Sequence, residues 1–155
     1  MMILKELVKG ISFEGHLDDR EINSITYDSR KVKPGSLFVA ISGMQEDGHS
    51  YIPEAIENGA VAILSNGHNS KKQTVPTLKV QDPRLVMSQI SARFYGNPSS
   101  KMNITGITGT NGKTSITYII HHIFQKAGLS CGTFGTLGFR SPSGITSTGF
   151  TTPES

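Results

Sequence analysis

The chain has one cysteine, Cys131, in 155 residues. That excludes an internal disulfide framework and a cysteine-rich zinc site. Long apolar runs are missing too: none approaches the ~20 residues that a membrane-spanning helix needs. The opening stretch Met1-Met-Ile-Leu-Lys-Glu-Leu-Val-Lys9 alternates apolar and charged residues and lacks the unbroken apolar centre of a secretory leader. A reducing cytoplasm is the expected location, with no membrane partner. Charge of one sign is scarce: 15 basic residues face 12 acidic ones, a net +3. The basic residues are scattered, adjacent only at Arg30-Lys31 and Lys71-Lys72, with no basic helix stripe and no interleaved aromatics. No nucleic-acid partner is expected, and a mild positive bias suits phosphorylated small molecules. Internal repeats and low-complexity tracts are absent.

What is present reads as globular, at 35% hydrophobic and 17% charged residues. A compact domain typically takes ~100–200 residues, so the length suggests one domain, or one and a piece of another. Apolar periodicity predicts alternating elements. Leu4, Leu7, Val8 and Ile11 are spaced for a short amphipathic helix. Strands are expected at Ile25–Ser29, Leu37–Ile41, Val61–Leu64 and Val75–Val80. A helix is expected over Tyr51–Asn58, with Ser50 as its cap and Gly59 in the left-handed position after it. Asp82-Pro83 starts another helix, with Val86, Ile90 and Phe94 on one face. Gly96-Asn-Pro-Ser-Ser100 has linker composition, so the domains are placed at 1–98 and 99–155. In the second, Met102–Ile107 reads as a strand. Ile116, Ile119, Ile120, Ile123, Phe124 and Ala127 follow helical spacing up to Gly128. Ser130–Gly135 reads as a strand, and Phe139–Ile145 as a hairpin around Ser-Pro-Ser-Gly. The fold class is therefore α/β in both units, the second being incomplete.

The chemistry concentrates in Ile104-Thr-Gly-Ile-Thr-Gly-Thr-Asn-Gly-Lys-Thr-Ser115. Glycines let backbone N–H groups turn in around phosphate oxygens, lysine adds a compact positive charge, and a following helix aims its positive end at the anion. The strict phosphate-loop pattern wants a glycine at 107, where Ile107 stands; glycines occur at 106 and 109 instead. A plain strand-to-helix turn is the bland alternative, but such a turn does not require Gly-Lys-Thr at a helix start. Lys113 is thus the candidate for the β- and γ-phosphates, Thr114 for Mg²⁺, and the N–H groups from Thr110 to Ser115 for the phosphate cradle. Only forty residues follow Ser115, too few to finish a phosphate-loop domain.

Thr108-Gly-Thr-Asn-Gly-Lys-Thr-Ser115 resembles the ATP loop of the Mur ligase family, which departs from the strict pattern in the same way. A full domain lies before the loop here, which favours the peptidoglycan ligases over the folylpolyglutamate synthetases of the same family. Further blocks carry the resemblance through the first domain: Thr26-Tyr-Asp-Ser-Arg30, Val32-Lys-Pro-Gly-Ser-Leu-Phe-Val-Ala40, Asp47-Gly48-His49 and Ala55-Ile-Glu-Asn-Gly-Ala60. They are similar to the UDP-binding domain of the branch that adds meso-diaminopimelate or L-lysine to UDP-N-acetylmuramoyl-L-alanyl-D-glutamate. The D-alanyl-D-alanine-adding branch shares much of this. The closing Thr151-Thr-Pro-Glu-Ser155 resembles the substrate loop of the former.

The resemblance implies an ATP-dependent ligase with Mg²⁺, in which the D-glutamate carboxylate is phosphorylated and an amine then displaces phosphate. It implies ATP binding by Gly109, Thr110, Asn111, Gly112, Lys113, Thr114 and Ser115, with Lys113 the catalytic residue and Thr114 the metal ligand. It implies substrate binding by Tyr27 and Ser29 at the uracil and ribose, by the loop residues Met44, Gln45 and Glu46, and by Thr151 and Thr152. Met44 stands where the family often has histidine, and Phe150 where an asparagine often precedes the threonine pair. The remaining ligase machinery, including the amino-acid-binding domain, is expected in a missing C-terminal part of the same protein. Plainer readings stay open. Asp28 and Ser29 would close a strand-end turn, Gln45 would be a solvated loop residue, and Thr151-Thr152 an uninformative terminus. A free-standing UDP-sugar-binding module and an unrelated phosphate-loop protein are the competing functions. His121 and His122 are expected on a solvated helix face, and Cys131 in a core strand.

Overall fold

The computed structural model describes residues 1–43, 46–67, 73–142 and 144–146. The chain divides into two compact units, Met1–Met102 and Asn103–Glu154.

In the first unit, β1 (Met2–Ile3) pairs antiparallel with β2 (Glu21–Ile22) and runs straight into α1 (Leu4–Leu7). The main sheet has four strands: β3 (Ser24–Thr26), β4 (Ser36–Val39), β5 (Ala60–Ser65) and β6 (Thr77–Lys79). They lie side by side in chain order and all run parallel, with Ile25 opposite Leu37, Phe38 opposite Ile63, and Leu64 opposite Leu78. A parallel sheet must be covered on both faces. On one face Leu37, Val39, Ala62, Leu64 and Leu78 pack with Leu4 and Leu7 of α1 and with Val86, Met87 and Ile90 of α3 (Pro83–Phe94). On the other, Phe38, Ala40 and Ile63 pack with Ile52 and Ala55 of α2 (Ile52–Glu57). The alternation of β4 between the two cores follows from the two-residue period of a strand.

Local chemistry sets the element ends. Asp82 accepts hydrogen bonds from the Arg84 and Leu85 backbone N–H groups at 2.9 and 3.2 Å, and Pro83 takes the first helical position. The expected cap at Ser50 is not used. Tyr51 precedes α2 without a side-chain capping bond, and Ser50 lies in a 3₁₀ turn over Gly48–Tyr51. Gly59 has φ +103°, as its place after α2 requires. The first helix stops at Leu7, short of Ile11, and Arg93 of α3 donates to the carbonyls of Glu6 and Leu7.

The second unit holds α4 (Lys113–Lys126) and an antiparallel sheet of β7 (Thr133–Gly135), β8 (Gly138–Ser141) and β9 (Gly144–Thr146). Gly128 at φ +75° ends α4, with Leu129 N–H bonding back to the Phe124 carbonyl. The expected strand over Met102–Ile107 does not form. Lys101 closes a 3₁₀ turn, residues 103–109 are irregular, and Ile104 is exposed. A strand needs a neighbour to take its N–H and C=O groups. The expected strand over Ser130–Gly135 shortens to Thr133–Gly135, which leaves Cys131 half-buried outside it. His121 is not solvated either; it is 3% exposed, and neither ring nitrogen has a hydrogen-bond partner among the described residues. The apolar stripe of α4 is instead open, with Ile116, Ile119 and Ile123 all exposed.

Candidate functional site

In an open parallel sheet, ligands gather beyond the carboxyl ends of the strands. Tyr27 and Ser29 follow β3 there, and Glu46 follows β4, the neighbouring strand. The turn after β3 is built by Asp28. Its carboxylate accepts from the Arg30 backbone N–H at 3.2 Å and takes the Arg30 guanidinium in a fork at 2.8 and 3.0 Å. That guanidinium holds the Asp28 carboxyl below its ordinary range. Tyr27 stands exposed beside this turn, while Ser29 is only 6% exposed. The Ser29 carbonyl accepts from Val32 N–H and from Asn58 Nδ2, tying the turn to the end of α2.

Beyond β4, Glu46 accepts the Tyr51 hydroxyl at 2.9 Å, and the carboxylate pushes the Tyr51 phenol up. The Glu46 and Glu54 carboxylates also favour the charged Arg30 guanidinium, after its main partner Asp28. Sequence reasoning passed over Arg30 and Tyr51 as site residues. The signal for Arg30 was its two-residue spacing from Asp28; for Tyr51, whose partner is five residues back, there was none. Met44, Gln45, Thr151 and Thr152 lie outside the described residues.

The second candidate is the loop into α4. Gly112 adopts φ +77°, which an L side chain resists, and it delivers the chain into the helix with no side-chain cap. The first N–H groups of α4 are therefore available to an anion. Lys113 curls back, its ammonium donating to the Gly109 and Thr110 carbonyls at 2.6 and 3.2 Å. Gly109, Thr110, Asn111, Thr114 and Ser115 are all exposed. Uncapped N–H groups, one ammonium and the hydroxyls of Thr110, Thr114 and Ser115 form a donor set that fits a polyphosphate. Among the described residues no group of three or more His, Cys, Asp or Glu could cage a metal. The Thr114 hydroxyl would hold a Mg²⁺ ion that accompanies those phosphates. No helix among the described residues is long and apolar enough to cross a membrane.

Comparison with known proteins covers both candidates. The profile of the Mur ligase family catalytic domain matches residues 21–95, and that of the Mur ligase middle domain matches residues 107–155. This chain belongs to the Mur ligase family. Its Mur ligase relatives include the UDP-N-acetylmuramoyl-L-alanyl-D-glutamate--2,6-diaminopimelate ligase of Caldanaerobacter subterraneus, 42% identical over 99% of this chain and 32% of that protein. The enzyme of the same name from Syntrophomonas wolfei is 44% identical over 88% of this chain and 28% of its own length. A solved structure of a UDP-N-acetylmuramoyl-L-alanyl-D-glutamate--2,6-diaminopimelate ligase superposes with TM-score 0.74 at 26% identity, over 98% of this chain and 31% of that one. MurF from Acinetobacter baumannii, at TM-score 0.64 and 22% identity over 81% of this chain and 28% of that one, shares the fold. The chain spans about a third of the length of the curated relatives it matches. Membership of the Mur ligase family sets aside the unrelated phosphate-loop protein.

Proposed function

We propose that this chain supplies the nucleotide-sugar domain and the ATP loop of a longer ligase. That ligase joins meso-diaminopimelate or L-lysine to UDP-N-acetylmuramoyl-L-alanyl-D-glutamate. The observation that carries the reading is 42% identity, over 99% of this chain, to a relative named for the diaminopimelate reaction. Those names favour diaminopimelate as the amino acid added.

In this reading residues 1–98 take the UDP end of the substrate. Tyr27 and Ser29 flank the uracil and ribose, and Met44, Gln45 and Glu46 add to nucleotide binding. Residues 99–155 hold ATP. Backbone N–H groups from Thr110 to Ser115 orient its phosphates, and Lys113 neutralises charge as the γ-phosphoryl group transfers to the D-glutamate carboxylate. Mg²⁺ beside the Thr114 hydroxyl adds electrostatic stabilisation to the phosphate oxygens when bound. Thr151 and Thr152 hold the muramoyl-peptide side. The amine then attacks the acyl phosphate and phosphate leaves. Within this scheme the chain's own residues bind and orient; by itself the chain is not expected to complete the ligation.

Titration calorimetry with the UDP-muramoyl dipeptide tests the first half. Binding that Ser29→Ala weakens supports the reading; absent binding to a folded chain refutes it. The low exposure of Ser29 favours a second role for that residue, as a turn-former, and unchanged affinity in Ser29→Ala would select it. Gene sequence beyond codon 155 that continues into the rest of a ligase separates this reading from a free-standing UDP-sugar-binding module.

A further inference from the structure

Asp47-Gly48-His49 belongs to the family resemblance but has no role in the scheme above. The structure gives these residues a dense set of bonds. The His49 side chain is fully buried, and its Nδ1 lies 2.5 Å from Asp47 Oδ1. An ionised carboxylate can only accept, so in this bond Asp47 is the acceptor and Nδ1–H the donor. The same oxygen accepts from the His49 backbone N–H at 3.1 Å and from the Ser42 hydroxyl at 3.2 Å.

These bonds close the base of the loop that follows β4. Ser42 and Asp47 form an antiparallel bridge, and Gly43 N–H donates to the Glu46 carbonyl at 2.8 Å. Gly48 N–H donates to Ile41, so close that a Cβ at position 48 would sit 2.6 Å from the Ile41 carbonyl oxygen. Glu46 is thus held at two atoms, its carbonyl by Gly43 N–H and its carboxylate by the Tyr51 hydroxyl.

We propose that the Asp47–His49 pair is a positioning latch for nucleotide-sugar recognition: anchored through buried His49, it fixes Ser42, Gly43 and Glu46 so that the Glu46 carboxylate is presented to N–H and O–H donors of the uridine. The inference rests on the nucleotide-sugar reading of the first unit. A carboxylate repels the diphosphate, so Glu46 serves the uracil and ribose end. Asp47 and His49 act through Glu46 and touch no ligand themselves.

The test is UDP titrated calorimetrically into the full chain and into His49→Ala, His49→Asn and Ser42→Ala, with the folded fraction of each measured by circular dichroism. Exchange of the Gly43 amide is followed by NMR. His49→Ala should weaken UDP about tenfold, the scale of one charge-assisted hydrogen bond, and speed Gly43 exchange. His49→Asn, whose side-chain amide can donate to Asp47 as Nδ1 does, should recover most of the affinity. A folded His49→Ala with wild-type affinity overturns the latch, as does His49→Asn that is no better than His49→Ala. If His49→Ala does not fold, surface variant Ser42→Ala decides: a several-fold loss supports the latch, and unchanged affinity overturns it. A wild-type chain that binds no UDP refutes the nucleotide-sugar reading itself. Gly43 exchange then still reports whether His49 fixes the loop.

Discussion

Two isoleucines on two helices should respond very differently to the same truncation. Ile90 on α3 is 0% exposed and packs between α1 and the parallel sheet, whereas Ile119 on α4 is 59% exposed. Ile90→Ala removes buried carbon from a filled core, which costs about 2–5 kcal/mol. Even about 2 kcal/mol raises the population of opened α3 roughly thirtyfold. Ile119→Ala gives up less than half of a side chain whose full burial is worth about 1.5–3 kcal/mol. Alanine returns some of that through its helix propensity, so the net change is close to zero. Hydrogen exchange read by mass spectrometry suits the comparison because it reports each segment separately. In the wild type, peptides from residues 101–146 should exchange faster than those from residues 1–97. Ile90→Ala should accelerate exchange across α1, α3 and the strands between them. Ile119→Ala should leave α4 as it was. A large acceleration of α4 in Ile119→Ala, or equal wild-type protection in both segments, would refute the reasoning. Either result would mean that another surface, such as a second copy of the chain, already covers the stripe.

Lys113→Ala removes the one ammonium from the phosphate loop and should weaken Mg-ATP binding about tenfold or more by calorimetry, with the helix content of the chain unchanged. Asp47 has its pKa lowered by His49, so its contribution to stability is present above the unfolded-state value of about 3.9 and is lost as pH falls through the folded value. The melting temperatures of wild type and Asp47→Asn should therefore differ at pH 7 and converge in acid, and a gap that widens on acidification would contradict this. Asp82→Ala removes the two cap bonds at the start of α3 and should cost about 1 kcal/mol in urea denaturation. Mixed with ATP, Mg²⁺, the UDP-muramoyl dipeptide and diaminopimelate, the pure chain should form no tripeptide product by chromatography; product dependent on both ATP and diaminopimelate would overturn the division of labour proposed above.

Most of the first unit was legible because its signals are local. Leu37-Phe-Val-Ala-Ile41 and Val61-Ala-Ile-Leu64 are apolar on both faces, as strands of a doubly covered parallel sheet must be. Asp82-Pro83 marks a helix start through groups that touch within one turn. The second unit was less legible because strand formation is not local. Met102–Ile107 has strand composition, yet no strand pairs with it among the described residues. Helical periodicity located α4 correctly, but periodicity names the apolar stripe without saying what covers it. His121 is buried while Ile119 is open for that reason. At the candidate site, the Asp28–Arg30 fork follows from a two-residue spacing. The Tyr51–Glu46 bond and the burial of His49 depend on tertiary packing around Ser42, Asp47 and Gly48, which sequence spacing does not encode.

The bonds from Arg93 to the carbonyls of Glu6 and Leu7 have a consequence for the chain as it is made. The first helix has its core partners in Met87 and Ile90 and its terminal donor at Arg93. A ribosome adding about 5–20 residues each second would take roughly 4–17 seconds to travel from Leu7 to Arg93. Through that interval Leu4 and Leu7 have no finished core to enter. The segment that carries Leu4 and Leu7 thus docks only once α3 has been made, and a chaperone that meets this protein during synthesis would find an apolar handle there.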